Sequence, residues 1–327
     1  MQLCWLFKWR PLLVSQLALN TWCIPYIDQP AAFWEEIATQ FGDYIRAVYF
    51  PMPGGVIASG RPPQPERLMT AFLQYASLPK AVLVNPILLS QPVEHVAPQI
   101  IENLARLRDN YGVCDVTVSN PSLAKRIKTS LPGFKVTASI LMGISTLAQL
   151  ETIQEYVDVI VPDNRILRDL KSLKMLRKAF KGELRLIVNE ACLPGCLYRV
   201  QHFYEMAYGG DFPESLCQPL LAEKPWLRLT SGWVLPQHLE YYAGLYDSLK
   251  IAGRVTLRDP IHYKQVLNAY IHRKHLLPCE IGAGPASVQD PIQLSDAMFK
   301  TILNCAKNCH GCKRCEQYYE NALSSTD

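Results

Sequence analysis

The sequence has no run of about 18 uninterrupted apolar residues, the minimum for a helix crossing a bilayer, so no membrane span is expected. It also has little charge of one sign. Lys and Arg number 33 against 29 Asp and Glu, leaving +4, which gives no global field toward nucleic acid or an anionic membrane and leaves only a local basic patch open. Low-complexity linkers are missing, and there is no internal repeat beyond an alternation of strand-like and helix-like segments. A secretory leader is not expected. Met1 to Asn20 is apolar with Lys8 and Arg10, but Pro11 interrupts it and no small-x-small cleavage site follows. With 49% hydrophobic and 19% charged residues over 327 positions, disordered and collagen-like chains are excluded and a large core is affordable. A cytoplasmic protein is the expectation.

Cysteine, by contrast, is abundant. Eleven cysteines, an odd number, argue against complete disulfide pairing, and seven of them fall in two groups. Thiols stay reduced in a cytosol, so metal binding or catalysis is the expected use. Cys4 and Cys114 lack partners in sequence and are expected to be ordinary buried residues.

Short β-rich apolar runs recur along the chain: Leu17 to Trp22, Ile45 to Phe50, Ala81 to Asn85, Asp115 to Ser119, Val136 to Leu141, Val157 to Val161, Leu184 to Asn189, Leu227 to Ser231 and Ser248 to Ile251. Several are apolar at successive positions, as strands covered on both faces must be. Helical spacing lies between them, as in Ile100, Leu104 and Leu107, or Leu167, Leu170, Leu173 and Leu176. About eight such units predict a (β/α)8 barrel over residues 1–258, with a doubly wound sheet as the alternative. Residues 259–327 read as a C-terminal extension packed on the barrel, with a helix from Pro260 to His272, a Pro/Gly stretch from Leu277 to Pro291 and a helical, cysteine-rich tail.

A barrel builds its site from loops at the carboxyl ends of its strands. Asn20 to Cys23, Asn85, Ser119-Asn120, Asp163-Asn164 and Asn189-Glu190 stand at such ends and are expected to converge on one mouth, although each also suits a helix cap. Cys192-x3-Cys196 follows directly, with Cys217 beyond it. The Leu193-Pro194-Gly195 loop can turn two thiolates toward one ion. Cys23 is the preferred fourth ligand and Cys279 the other. The tail holds Cys305-x3-Cys309-x2-Cys312-x2-Cys315, a ferredoxin-like density of thiols, with Gly311 as the place to bend. Zinc, or a cysteine seam buried on a tail helix, are the alternatives there. Arg61 in the loop after the second strand, with Lys250 and Arg254, could anchor an anionic substrate, while Glu190 and His202 could relay protons. Trp226, Trp233, Tyr241, Tyr242 and Tyr246 are read as packing.

Two stretches resemble the collagenase-like peptidase family (unclassified peptidase family 32). Leu249-Lys250-Ile251-Ala252-Gly253-Arg254, followed by Tyr263, Val266 and Ala269-Tyr270, is similar to that family's Lys-Ile-Glu-Gly-Arg segment, with Ala252 in place of Glu. Val188 to Cys196, then Arg199 and His202-Phe203, is similar to its cysteine-containing loop. The resemblance implies a barrel and, in the branch of oxygen-independent hydroxylation proteins, a 4Fe-4S cluster held by four cysteines. That branch includes proteins working in pairs, and other members of the family act on RNA bases. It implies a hydroxylase or related redox enzyme with one or two clusters, a small-molecule or RNA substrate, and a redox partner or a related barrel protein as heterodimer. An electron-transfer or binding module without catalysis of its own is the alternative. The peptidase signature, Glu and His before Cys-x4-Ser-Gly-x-Cys, is absent, which makes proteolysis the lesser expectation. The tail cysteines have no counterpart in the resemblance.

Overall fold

The computed structural model describes residues 19–55, 57, 59–60, 66–75, 77–208, 217–284, 288–303, 305–309 and 311–324. Among them, eight parallel strands close into a barrel in chain order. They are β1 (Trp22–Pro25), β2 (Ile45–Pro51), β3 (Lys80–Val84), β4 (Asp115–Val118), β5 (Lys135–Ala138), β6 (Val159–Ile160), β7 (Glu183–Ile187) and β8 (Ser248–Lys250). Pairing of Trp22 with Leu249 and Cys23 with Lys250 joins β8 back to β1. This closure excludes the doubly wound alternative.

The helices α1 (Ala31–Phe41), α2 (Met69–Tyr75), α3 (Val93–Tyr111), α4 (Pro121–Ser130), α5 (Leu147–Ile153) and α6 (Leu170–Ala179) alternate with the strands. After β7 come α7 (Arg199–Tyr208) and α8 (Gln218–Glu223), and after β8 come α9 (Pro260–Ile271), α10 (Asp296–Ile302) and α11 (Arg314–Ser324). Local chemistry sets their starts. Asn120 accepts from Leu123 N at 2.9 Å, Thr146 and Gln149 form a capping box, and Asp169 and Asp259 cap α6 and α9.

Side chains alternate across each strand, so one strand serves two cores. Outward residues such as Ile24, Val48, Val82, Val116, Val136 and Leu184 pack under the helices. Inward ones form a smaller cluster of Cys23, Ala47, Tyr49, Ala81 and Leu83. Barrel strands therefore look continuously apolar. The interior also holds Arg185, whose Nε donates to Ser248 Oγ at 2.9 Å. α9 packs across the outside of β1, where Tyr263 Oη donates to Pro25 O at 2.8 Å and the Tyr270 ring lies 5.6 Å from Trp22.

Three expectations are corrected. Leu227 to Ser231 is not a strand but part of a 3-10 helix, Pro225–Thr230, because direct pairing of β7 with β8 leaves no edge for another strand. The first strand begins at Trp22, not Leu17. Leu19 is 66% exposed and Asn20 has a left-handed φ of 52°, a conformation that turns the chain instead of extending it, while Leu17 and Ala18 lie outside the described residues. Cys114, in the turn between α3 and β4, is exposed. Cys4 lies outside the described residues.

Candidate active site

A cavity of about 360 Å³ opens at the carboxyl ends of the strands. Tyr49, Leu83, Thr117, Val161, Ile187 and Lys250 form its floor, one contribution each from β2, β3, β4 and β7, from the residue after β6, and from β8. Its wall is the segment after β7, which brings Glu190, Cys192, Cys196, Arg199 and His202, and Cys217 enters from the start of α8.

The wall is built by hydrogen bonds that a linear reading does not reveal. Asn189 is fully buried and ties β7 to the segment after β8. Its Nδ2 donates to Ala252 O at 2.7 Å and Ile281 O at 3.1 Å, and its Oδ1 accepts from Ala252 N at 2.6 Å. Asn164 Nδ2 donates to Cys192 O at 3.1 Å, and Ser231 Oγ to Ala191 O at 2.9 Å. Cys196 N then donates to Leu193 O at 3.3 Å across Pro194 and Gly195, whose φ is 69°. Proline second and a left-handed glycine third match a type II turn, which folds Cys196 back toward Cys192. Arg199 begins α7 one turn later.

Arg199 was legible only as part of the family-like stretch, yet it is the most enclosed cation of the wall. Its Nη1 and Nη2 are buried without a hydrogen-bond partner among the described residues, and its guanidinium lies 5.4 Å from the Phe203 ring. Burial pulls its pKa down, but Glu190, Cys192, Asp163 and Cys196 outweigh that and the net shift is upward. Across the cavity, Lys250 Nζ sits 3.9 Å over the Tyr49 ring, and Arg254 Nη2 donates to Ser59 Oγ at 2.9 Å. Gly60 also lines the cavity. A Cβ there would meet Asn85 O at 2.3 Å, so only glycine fits between this loop and β3.

The structure therefore brings Cys192, Cys196, Cys217, Glu190, His202, Lys250 and Arg254 to one cavity. It does not bring Cys23 there. That thiol lies within β1 at 1% exposure, inside the barrel, where burial raises its pKa. Cys279, in the short 3-10 helix Pro278–Glu280, is half-buried and is not among the lining residues. Arg61 lies outside the described residues. Asn85, Asn189 and Glu190 reach the mouth as expected, whereas Asn120 caps α4 and Asp163 caps the turn at Asn164–Ile166.

Cys305, Cys309, Cys312 and Cys315 are not among the residues that line the mouth, and Cys305 and Cys315 are in electrostatic reach of Arg168. Cys305 to Lys313 contain no helix or strand among the described residues, and only Cys315 is helical, in α11, so no tail-helix cysteine seam exists. Among the described residues, no three His, Cys, Asp or Glu side chains stand close enough together to hold a metal ion as they are. No helix among them is long and apolar enough to cross a membrane.

Fold and site together define a (β/α)8-barrel protein with a cysteine-lined cavity at the catalytic face of the fold. No family model matches the chain. An uncharacterized protease of Methanocaldococcus jannaschii is 30% identical over 234 residues, covering 65% of this chain and 68% of that protein. A solved U32 peptidase is similar in fold, with a TM-score of 0.52 and 16% identity over 74% of this chain and 96% of its own. The chain belongs to the collagenase-like (U32) peptidase family.

Proposed function

We propose that this chain is a redox enzyme whose mouth cavity holds an iron-sulfur cluster, a 4Fe-4S cubane, on Cys192, Cys196 and Cys217. Its reaction is an oxygen-independent hydroxylation or related step on an anionic small-molecule or RNA substrate. The observation that carries this reading is the presence of three thiols, from two separate segments, on one cavity wall.

The donor set fits the group in two respects. Three soft sulfur donors suit iron-sulfur ligation. The partnerless Nη1 and Nη2 of Arg199, with Cys192 and Cys196 in electrostatic reach, supply positive charge and N–H donors beside an anionic sulfur centre. Three protein thiolates leave one coordination position to a non-protein donor or to Cys279. Loading requires the 192–196 turn and Cys217 to close together. When bound, such a centre supplies one-electron chemistry at a potential set by its charge, its hydrogen bonds and its exposure.

The chain's own residues do the rest. Lys250 and Arg254 bind and orient an anionic group opposite the cysteines. Glu190 and His202 hold and move a proton at the carboxylate and imidazole. Ile140, Leu141, Val161, Ile187, Leu193 and Phe203 keep the space dry. A second reading, peptide hydrolysis, is supported by the description of the archaeal relative as a protease and by thiols and His202 sharing one cavity.

Anaerobic purification with iron, acid-labile sulfide and a visible spectrum tests the proposal. Wild type is expected to be brown, and Cys192→Ser/Cys196→Ser to lose about four irons per chain while its circular dichroism stays unchanged. Colourless protein with equal iron content in wild type and variant sinks the redox reading. Cleavage of a peptide by metal-stripped protein, abolished by His202→Ala, establishes the other.

A further inference from the structure

Charge on this chain is not spread evenly. Residues 165–181 hold seven Lys and Arg against the single acid Asp169, a local net of +6 in a chain whose total is +4, so everything outside that stretch sums to −2. Three of the seven are engaged within the protein. Arg168 is buried and donates to the carbonyls of Leu229 and Trp233, Arg177 pairs with Asp247, and Arg165 pairs with Asp163 at 3.1 Å. Asp169 caps α6. Lys171, Lys174, Lys178 and Lys181 are exposed, and no salt bridge among the described residues includes any of them, although Glu151 stands on the adjoining α5.

Spacings of three and four put Lys171, Lys174 and Lys178 on one face of α6, a ridge about 10 Å long at 1.5 Å per residue. With Leu170 and Met175 they line an open groove. This pattern does nothing for the helix itself. Like charges three and four apart repel, and Lys171 in the first turn opposes the helix dipole. The opposite face, with Leu173 and Leu176, is buried in the outer core of the barrel. Because β6 and β7 are parallel, α6 runs back from the mouth face, so Lys171 is the end of the ridge nearest the cavity. The connection is short. Val161 lines the cavity, and Asn164 Nδ2 donates to Cys192 O at 3.1 Å.

We infer that the α6 ridge is a docking surface for single-stranded RNA, with phosphates on Lys171, Lys174, Lys178 and Lys181 and the strand leading to the mouth. Lysines are compact point charges that hold phosphate without reading sequence. A duplex does not fit, because α6 is packed along its length on the barrel and cannot enter a groove. A base reaches the cavity only once it is unstacked, which the single-stranded loops and ends of RNA permit at little cost. An anionic membrane is the poorer match, since an interfacial helix inserts its apolar face and the apolar face of α6 is in the core. Docking is independent of the chemistry at the mouth; that the strand is the substrate rests on the redox function proposed above.

The test titrates the full chain into a fluorescein-labelled oligouridylate of about 16 nucleotides and follows anisotropy. With four lysines on phosphates, affinity should fall about 50-fold between about 50 and about 200 mM salt, a slope of about −2.8 on logarithmic axes. Lys174→Gln/Lys178→Gln should halve that slope and weaken binding at least about tenfold at the lower salt, while Lys174→Arg/Lys178→Arg restores both. Photo-cross-linking from thiouridine in the strand should label the stretch from α6 through α7. The inference falls if the Gln variant binds as wild type does, if cross-links are confined to other faces, or if phosphatidylserine vesicles or polyglutamate bind the chain more tightly than the strand. Protein that is colourless and free of iron yet shows the lysine-dependent binding would sink the redox function and leave the docking surface standing.

Discussion

Asn189→Ala removes the side chain that joins the cysteine-bearing segment to the segment carrying Arg254. Three hydrogen bonds are lost, to Ala252 O, Ile281 O and Ala252 N, at one buried and two part-buried backbone groups. At about 1 kcal/mol of net contribution each, the loss is about 3 kcal/mol. At roughly 2 °C per kcal/mol for a large domain, Tm should fall by roughly 6 °C in a thermal scan at neutral pH. Asn189→Asp is the discriminating control. It keeps the acceptor for Ala252 N–H but loses both donors and sets a carboxylate against two carbonyl oxygens, so it should be at least as destabilising. Because Ala252 leads directly into Gly253 and Arg254, both variants should also bind anions in the cavity more weakly, read by titration calorimetry with inorganic phosphate. A loss below about 1 kcal/mol in Asn189→Ala would refute the claim that this residue pins the mouth.

Gly195→Ala meets no atom within 4 Å, so its only cost is a left-handed φ, about 1 kcal/mol by urea denaturation. Gly195→Asn should cost less, and equal costs would show that the turn has relaxed. His238 stacks 4.1 Å from Phe299, and burial pushes its pKa down to about 4 against an ordinary 6.5. The unfolded chain therefore binds the extra proton between those values, and stability falls as pH drops from 6.5 toward 4. The loss is about 2 kcal/mol after allowance for screening. His238→Gln should flatten that part of the stability curve, and an unchanged slope would assign the acid sensitivity to another group.

Much of the barrel was legible because its strands are short apolar runs at regular spacing, and because the period-2 pattern disappears when both faces of a strand are covered. The misreadings fall where tertiary context outvotes local pattern. Leu227 to Ser231 has strand composition, but Arg168 and the closed sheet hold it as a 3-10 helix. Cys23 was placed at the rim by proximity to a strand end. A shift of the strand itself put the thiol inside the barrel.

The linear order of residues determined the cysteine groups, the turn between Cys192 and Cys196, and the anionic-substrate candidates Lys250 and Arg254, since each is a matter of type and spacing. Only the folded chain decided which of them meet. Cys217 joins Cys192 and Cys196 across an intervening helix, while Arg199 acquires its meaning from buried Nη atoms that no hydrogen bond reaches among the described residues. Burial and long-range contact depend on how the whole chain closes, and no local window of sequence carries that information.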